Sequence, residues 1–147
     1  MMRFYFGIGT NLGDREANLC RAVQLLHERV GECIACSSIY RSAPQGFVSD
    51  NEFANIVAVC TTNFLPEDVL CITQQIECEM GRVEKSVNGI YSDRIIDIDL
   101  LQVFQNTTQI VHTSNTLVIP HPKMHTRDFV MVPLREVEAI LNDTIQS

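Results

Sequence analysis

Asp97 and Asp99 stand two apart in the run Asp93-Arg94-Ile95-Ile96-Asp97-Ile98-Asp99-Leu100-Leu101, continued by Val103 and Phe104. The β-branched and aliphatic residues of this run predict a strand. Strand side chains alternate, so Ile96, Ile98 and Leu100 point one way and the two aspartates the other. Carboxylates at i and i+2 on one face lie roughly 6.5–7 Å apart along the strand. Two close anions raise each other's pKa unless a cation joins them. Arg94 offsets part of that charge, and a hard divalent ion with oxygen ligands fits the pair better. The same pattern also suits a half-exposed strand whose polar residues face water.

The other residues able to do chemistry gather around this strand. The loop 82–93 carries Arg82, Glu84, Lys85, Asn88, Gly89 and Tyr91 and leads straight into the two aspartates. A basic, glycine-containing loop in that position suits a phosphate lid, or else a solvated surface loop. Lys123 and Arg127 add to the local positive charge. Asn55 sits on an otherwise apolar strand face, where a buried amide needs a hydrogen-bonding partner. A backbone group meets that need, and so does a heterocyclic ligand. His121 and His125 have the i, i+4 spacing of a helical zinc pair, but Pro122 intervenes and no metalloprotease glutamate accompanies them. Gly7-x-Gly9 before a helix lacks the third glycine of a dinucleotide fingerprint. Cys33-x-x-Cys36 has no second Cys or His pair to complete a zinc site. Spacing three in a strand should also send its thiols to opposite faces. All six cysteines are read as reduced thiols of a cytoplasmic protein.

The elements that must position these groups follow from periodicity. Residues 3–9 predict a strand, and a helix starts at Asp14 with Leu19, Ala22, Val23, Leu26 and Val30 as its stripe and Gly31 as its stop. Residues 32–41 predict a second strand, followed by a loop with Pro44, Gly46, Phe47 and Val48. The next strand, Phe53 to about Thr62, separates Phe53, Asn55, Val57 and Val59 from Ala54, Ile56, Ala58 and Cys60. Pro66 opens a second helix, and Gly81 ends it. Its buried stripe is Val69, Ile72, Thr73, Ile76 and Met80, with Gln74 and Glu77 sharing a flanking face at i, i+3. A last helix begins near Phe129, with Pro133 in its opening turn.

Composition bounds the possibilities. The 147 residues predict one domain spanning 1–147, with 46% hydrophobic and 20% charged residues as in an ordinary soluble globule. No apolar run approaches the ~20 residues of a membrane span, and Met-Met-Arg running directly into a strand pattern is unlike a secretory leader. A net charge of −7 disfavours general nucleic-acid affinity. A local basic cluster within an acidic chain suits a small polyanion.

The order strand-helix-strand-strand-helix-strand predicts an α+β, ferredoxin-like antiparallel sheet with helices packed on one face and long active-site loops. Over nearly its whole length the chain resembles the 6-hydroxymethyl-7,8-dihydropterin pyrophosphokinases of folate biosynthesis. The resemblance is carried by Gly9-Thr10-Asn11-Leu12-Gly13-Asp14, Tyr40-Arg41-Ser42-x-Pro44-x-Gly46, Phe53-x-Asn55, Gln74-x-x-Glu77 and Gly81-Arg82. It continues through Arg94-x-x-Asp97-x-Asp99 and Pro120-His121-Pro122…Arg127-x-Phe129. Each motif alone is common, whereas all of them in this order are specific.

The resemblance implies transfer of the β,γ-diphosphoryl group of ATP to the pterin hydroxymethyl oxygen, with AMP released. It implies that Asp97 and Asp99 hold two Mg²⁺ ions and act in catalysis with Arg82 and Arg94. Gln74, Glu77, Lys85, His121 and Arg127 are then the ATP-binding residues. Ser42, Ala43, Gln45, Phe53, Asn55, Tyr91 and Phe129 form the pterin pocket, Phe129 by stacking. ATP and 6-hydroxymethyl-7,8-dihydropterin are the expected partners, with no nucleic acid and no membrane, for a monomer or weak homodimer. The chain departs from the family pattern at Glu84, where many members carry a second arginine, and at Phe53, a frequent tyrosine. It also departs at Ile90-Tyr91, where others have Trp, and at Pro122, where some have Tyr. Two other readings of the residues stand beside this one. A nucleotidyltransferase using the same D-x-D would release pyrophosphate, and a ferredoxin-like sensing module would bind no Mg-ATP.

Overall fold

The computed structural model describes residues 1–42, 52–81 and 95–146. The expectations placed on Ala43, Gln45, Arg82, Glu84, Lys85, Ile90, Tyr91 and Arg94, and on the loop 82–93, lie outside the described residues.

Strand β1 (Met2–Thr10) leads through Asp14 into helix α1 (Arg15–Arg29). The Asp14 carboxylate accepts from the Ala17 amide at 3.1 Å and so caps an otherwise orphaned donor. The chain continues through β2 (Cys33–Cys36), β3 (Tyr40–Ser42), β4 (Phe53–Thr62) and α2 (Pro66–Glu79). It then forms β5 (Asp97–Gln105), β6 (Thr108–Ile110), β7 (His112–Thr113) and β8 (Val118–Ile119). A 3-10 turn, Met124–Thr126, precedes the last helix, α3 (Asp128–Gln146). The main sheet is antiparallel in the order β2-β4-β1-β5-β6, with β3 also paired to β4. This is the expected α+β, ferredoxin-like layer.

Helices α1 and α2 cover one face, as their stripes required. Leu19, Ala22, Leu25 and Leu26 of α1 and Val69 and Ile76 of α2 pack on Phe4, Phe6, Ile8, Ile56, Ala58, Cys60, Ile98 and Val103. The expectation that helices occupy a single face is corrected by α3. Its Val130, Leu134 and Val137 cover the other face over Tyr5, Val57, Val59 and Leu101. A sheet whose central strands are apolar on both sides needs a layer on each. The pattern of β4 had already divided its residues correctly between the two faces. Pro133 stands in the second turn of α3, not the opening one, and the helix continues through it.

Two irregularities shift side chains between faces. The expected strand 32–41 is divided into β2 and β3. Between them the Ser37 amide donates to Val57 O at 2.9 Å, while Ser37 Oγ accepts from the Val57 amide at 2.9 Å. Glu136 of α3 then receives both the Ser38 amide and its hydroxyl, at 3.0 and 2.9 Å. Within β2 the register slips between Cys33 and Ala35, so Cys33 lies opposite Cys60 and Cys36 opposite Ala58. A bulge adds one residue and changes the parity. Both thiols of the Cys-x-x-Cys therefore share the α1 face, which corrects the expectation of opposite faces.

Gly31 after α1 is required sterically. A Cβ there would stand 1.9 Å from the carbonyl oxygen of Thr61. Gly31→Ala is expected to cost ~2 kcal/mol by forcing this backbone apart, and an unchanged urea midpoint would show that the turn yields freely.

Candidate active site

The aspartates take their place from the pairing of β1 with β5. Ile8 lies opposite Ile98 on the α1/α2 face, while Gly9 lies opposite Asp97 and Gly7 opposite Asp99. Both carboxylates are half-buried on the α3 side, away from α1 and α2. On the other edge of β1, Gly9 lies opposite Asn55 of β4, and Asn55 lies opposite Tyr40 of β3. Directly opposed residues share a face. One row therefore crosses four strands in the order Tyr40, Asn55, Gly9 and Asp97, and the next begins with Ser42 opposite Phe53. Asn55 and Asp97 are two strand spacings apart, about 9–10 Å between backbones.

Glycine in the middle of this row keeps the surface open. A Cβ on Gly9 would come within 2.9 Å of Asn55 Oδ1, and one on Gly7 within 3.3 Å of a Leu101 methyl. Sequence reasoning had placed Gly9 in a motif without giving it a role in the site. The signal was available: glycine inside a strand marks close approach of another group.

Asn55 is 6% exposed and spends both amide hydrogens on β3. Nδ2 donates to Ser42 Oγ at 3.0 Å and to Tyr40 O at 3.3 Å. These acceptors fix the orientation of the amide, because its oxygen could not face a carbonyl. Oδ1 is left directed over Gly9.

On the far side of the aspartates, no strand among the described residues pairs with β5 at this level, since β6 pairs with Val103, Phe104 and Gln105. Glu77 of α2, 5% exposed, fills that gap, and its Oε2 accepts from the Ile98 amide at 2.8 Å. Ile98 lies between the two aspartates, so this carboxylate holds the segment of backbone that carries them. Gln74, expected to share a face with Glu77, is exposed on α2.

A bulge in β5 brings in the next candidates. The β1–β5 register passes from Tyr5 opposite Gln102 to Phe6 opposite Leu100, so Leu101 stays on the aspartates' face with the α3 cluster while Val103 turns to the α1/α2 cluster. Leu101 O accepts from the His121 amide at 2.7 Å, just after the Ile119–Pro120 cis peptide. His121 Nδ1 in turn accepts from the Lys123 amide at 3.2 Å. The Arg127 guanidinium lies 5.6 Å from the centre of the Phe129 ring, a cation–π contact at the start of α3. His125 is exposed on the 3-10 turn.

A second polar cluster escaped sequence reasoning. Glu67 in the first turn of α2 accepts from Ser114 Oγ at 2.6 Å and Thr116 Oγ1 at 2.9 Å, and meets His112 Nε2 at 2.8 Å. The Ser114 hydrogen bond, then those of His112 and Thr116, pull its carboxyl down to about 2. The contacts tie the β7–β8 hairpin, which leads to His121, onto α2. Nothing in spacing could reveal it, because the partners lie far apart in the chain.

The two carboxylates fit Mg²⁺ by donor chemistry. Among the described residues no third His, Cys, Asp or Glu completes a metal cluster with them. Mg²⁺ usually takes one or two carboxylates and draws its remaining oxygens from phosphate and water. Among the described residues no helix is long and apolar enough to cross a membrane.

Comparisons with known proteins bear on the family and the fold. The family model described as 7,8-dihydro-6-hydroxymethylpterin-pyrophosphokinase (HPPK) matches residues 5–139. The chain is 43% identical over 135 residues to a 2-amino-4-hydroxy-6-hydroxymethyldihydropteridine pyrophosphokinase of Porphyromonas gingivalis, covering 90% of this chain and 88% of that protein. It is 36% identical over 134 residues to the Bacillus subtilis protein of the same name, covering 90% and 76%. A solved structure of an HPPK-DHPS in complex with substrates superposes with a TM-score of 0.65 over 92% of this chain and 40% of that one. At 14% identity that likeness bears on the fold alone. The family match and the two relatives establish that this chain belongs to the 7,8-dihydro-6-hydroxymethylpterin-pyrophosphokinase family and is an ATP-dependent diphosphotransferase of folate synthesis.

Proposed function

We propose that the chain transfers the β,γ-diphosphoryl group of ATP to the hydroxymethyl oxygen of 6-hydroxymethyl-7,8-dihydropterin. The bond from that oxygen to the β-phosphorus forms as the bond to the α-phosphate oxygen breaks, and AMP leaves. The observation that carries this reading is the row Asn55–Gly9–Asp97. It offers a heterocycle-sized amide acceptor and a carboxylate pair on one face, separated by a glycine floor. The pterin lies on the Asn55 side, with Ser42 and Phe53 beside it and Phe129 stacking from α3, and the triphosphate lies over Asp97 and Asp99.

Asp97 and Asp99 would hold two Mg²⁺, which neutralise charge on the phosphoryl oxygens. Arg127 and His121 bind the triphosphate from the rim, and Gln74 belongs to the ATP side. Arg82, Arg94 and Lys85 supply further positive charge, and Ala43, Gln45 and Tyr91 complete the pterin pocket. Preorganised cations matter here because the reaction has little covalent chemistry for a side chain to perform. The catalyst is a cytoplasmic monomer or weak homodimer formed by one domain. Incubation with ATP, Mg²⁺ and the pterin is expected to yield AMP and the pterin diphosphate. Pyrophosphate as the product would instead identify a nucleotidyltransferase, and absence of Mg-ATP binding a sensing module.

The pterin side has its own test. Asn55 Oδ1 accepts from a ring N–H of the pterin while the amide hydrogens hold β3. Asn55→Ala is expected to weaken pterin binding by ~1–3 kcal/mol, the cost of an unmade buried hydrogen bond, with Mg-ATP affinity nearly unchanged. Calorimetry showing equal weakening of both ligands would make the residue purely structural.

A further inference from the structure

At the end of β4 away from Asn55, two thiols face each other across the sheet. Cys33 of β2 and Cys60 of β4 are directly opposed register partners, and both lie on the α1 face. Cys60 is fully buried, whereas Cys33 is partly exposed at the edge of the sheet. Opposed residues of antiparallel strands have Cα atoms about 4.5–5.5 Å apart, inside the 4.4–6.8 Å range of a disulfide. His27 of α1 stands beside Cys33, its Nδ1 accepting from the Cys33 amide at 3.2 Å. The catalytic reading uses none of these residues.

We propose that Cys33 and Cys60 are an oxidant-responsive pair that forms a reversible disulfide, with Cys33 as the attacking thiol and Cys60 as the resolving one. The electrostatics agree with that division. A hydrogen bond from Cys60 lowers the pKa of Cys33, with His27 adding to the effect, while the same bond and burial raise that of Cys60. An accessible, acidified thiol beside a second cysteine is the arrangement that oxidants select. Cys36 shares the face and is exposed, but partial desolvation and the neighbouring Cys33 push its thiol up to about 11, which leaves it a poor nucleophile.

The oxidant is a low-molecular-weight disulfide. The Cys33 thiolate attacks one of its sulfurs, breaking that S–S bond and releasing one small thiolate. Cys60, giving up its proton, attacks Cys33 Sγ, and the mixed disulfide releases the second small thiolate. Two electrons pass from the protein to the oxidant, and the two thiol protons end on the two small thiols. The product closes the chain from Cys33 to Cys60 and fastens the edge strand β2. Such a cross-link should raise Tm by about 5–10 °C. Asn55 is five residues along β4 from Cys60, so turnover should stay within about twofold.

The test uses the full reduced chain incubated with glutathione disulfide, trapped with N-ethylmaleimide and mapped by peptide mass spectrometry. The expected map has a Cys33–Cys60 cross-link, with Cys20, Cys36, Cys71 and Cys78 alkylated, and dithiothreitol reverses both the link and the gain in Tm. In Cys60→Ala, glutathione should remain attached to Cys33. A Cys33–Cys36 link, a mixed disulfide that persists on the parent chain, or alkylation of both Cys33 and Cys60 would overturn the proposal. The parent map decides by itself if the variant does not fold.

Discussion

Asp97→Ala and Asp99→Ala are each expected to lower turnover by at least a hundredfold while Tm stays within about 3 °C of the parent. The kinetic expectation follows from charge. Removing a single preorganised group that stabilises charge in a transition state costs about 10²–10³ in rate, and under the proposed metal-holding role each substitution would remove more than one such interaction. The stability expectation follows from position. Both side chains are half-buried on the face away from the α1/α2 core, above glycines in β1, so no large packing volume is lost. Excess Mg²⁺ should not restore the rate, because the missing element is the geometry that holds the ion against the phosphates. Activity within tenfold of the parent at saturating Mg²⁺ would sink the metal-holding role of that residue.

Glu77→Ala should damage both stability and rate. Its carboxylate satisfies the Ile98 amide at an edge of β5 that no strand among the described residues covers. Truncation leaves that donor unpaired and a cavity behind it, for a loss of about 3 kcal/mol. The backbone between Asp97 and Asp99 is then free to shift, and turnover should fall more than tenfold. Glu77→Gln keeps an oxygen at the same reach and should recover most of the loss. A group that only contacts ATP would behave differently. Its removal would raise the KM for ATP and leave stability and hydrogen exchange at the Ile98 amide as in the parent. Unchanged protection of that amide in Glu77→Ala would refute the positioning role.

The sequence by itself determined which residues form strands and helices wherever one face is apolar and the other polar. The alternation of β4 divided its residues correctly between two faces, and Asp14, Pro66 and Gly81 marked helix ends by chemistry that acts within a few residues. The ordered motifs from Gly9 to Phe129 also identified the family, because a combination of common motifs in one order is rarely reached by chance.

Tertiary structure decided everything that depends on register and on which layers meet. Periodicity cannot show a bulge, since one inserted residue inverts the parity of all that follow. Hence Cys33 and Cys36 came to share a face, and Val103 turned to the α1/α2 cluster. The apolar stripe of α3 required burial but did not say on which side of the sheet. The meeting of Asn55 with Asp97 across Gly9, the grip of Glu77 on Ile98 and the Glu67 clamp on the hairpin join residues far apart in the chain. Their hydrogen bonds are short-ranged in space and unconstrained in sequence, so only the folded chain could bring the partners together.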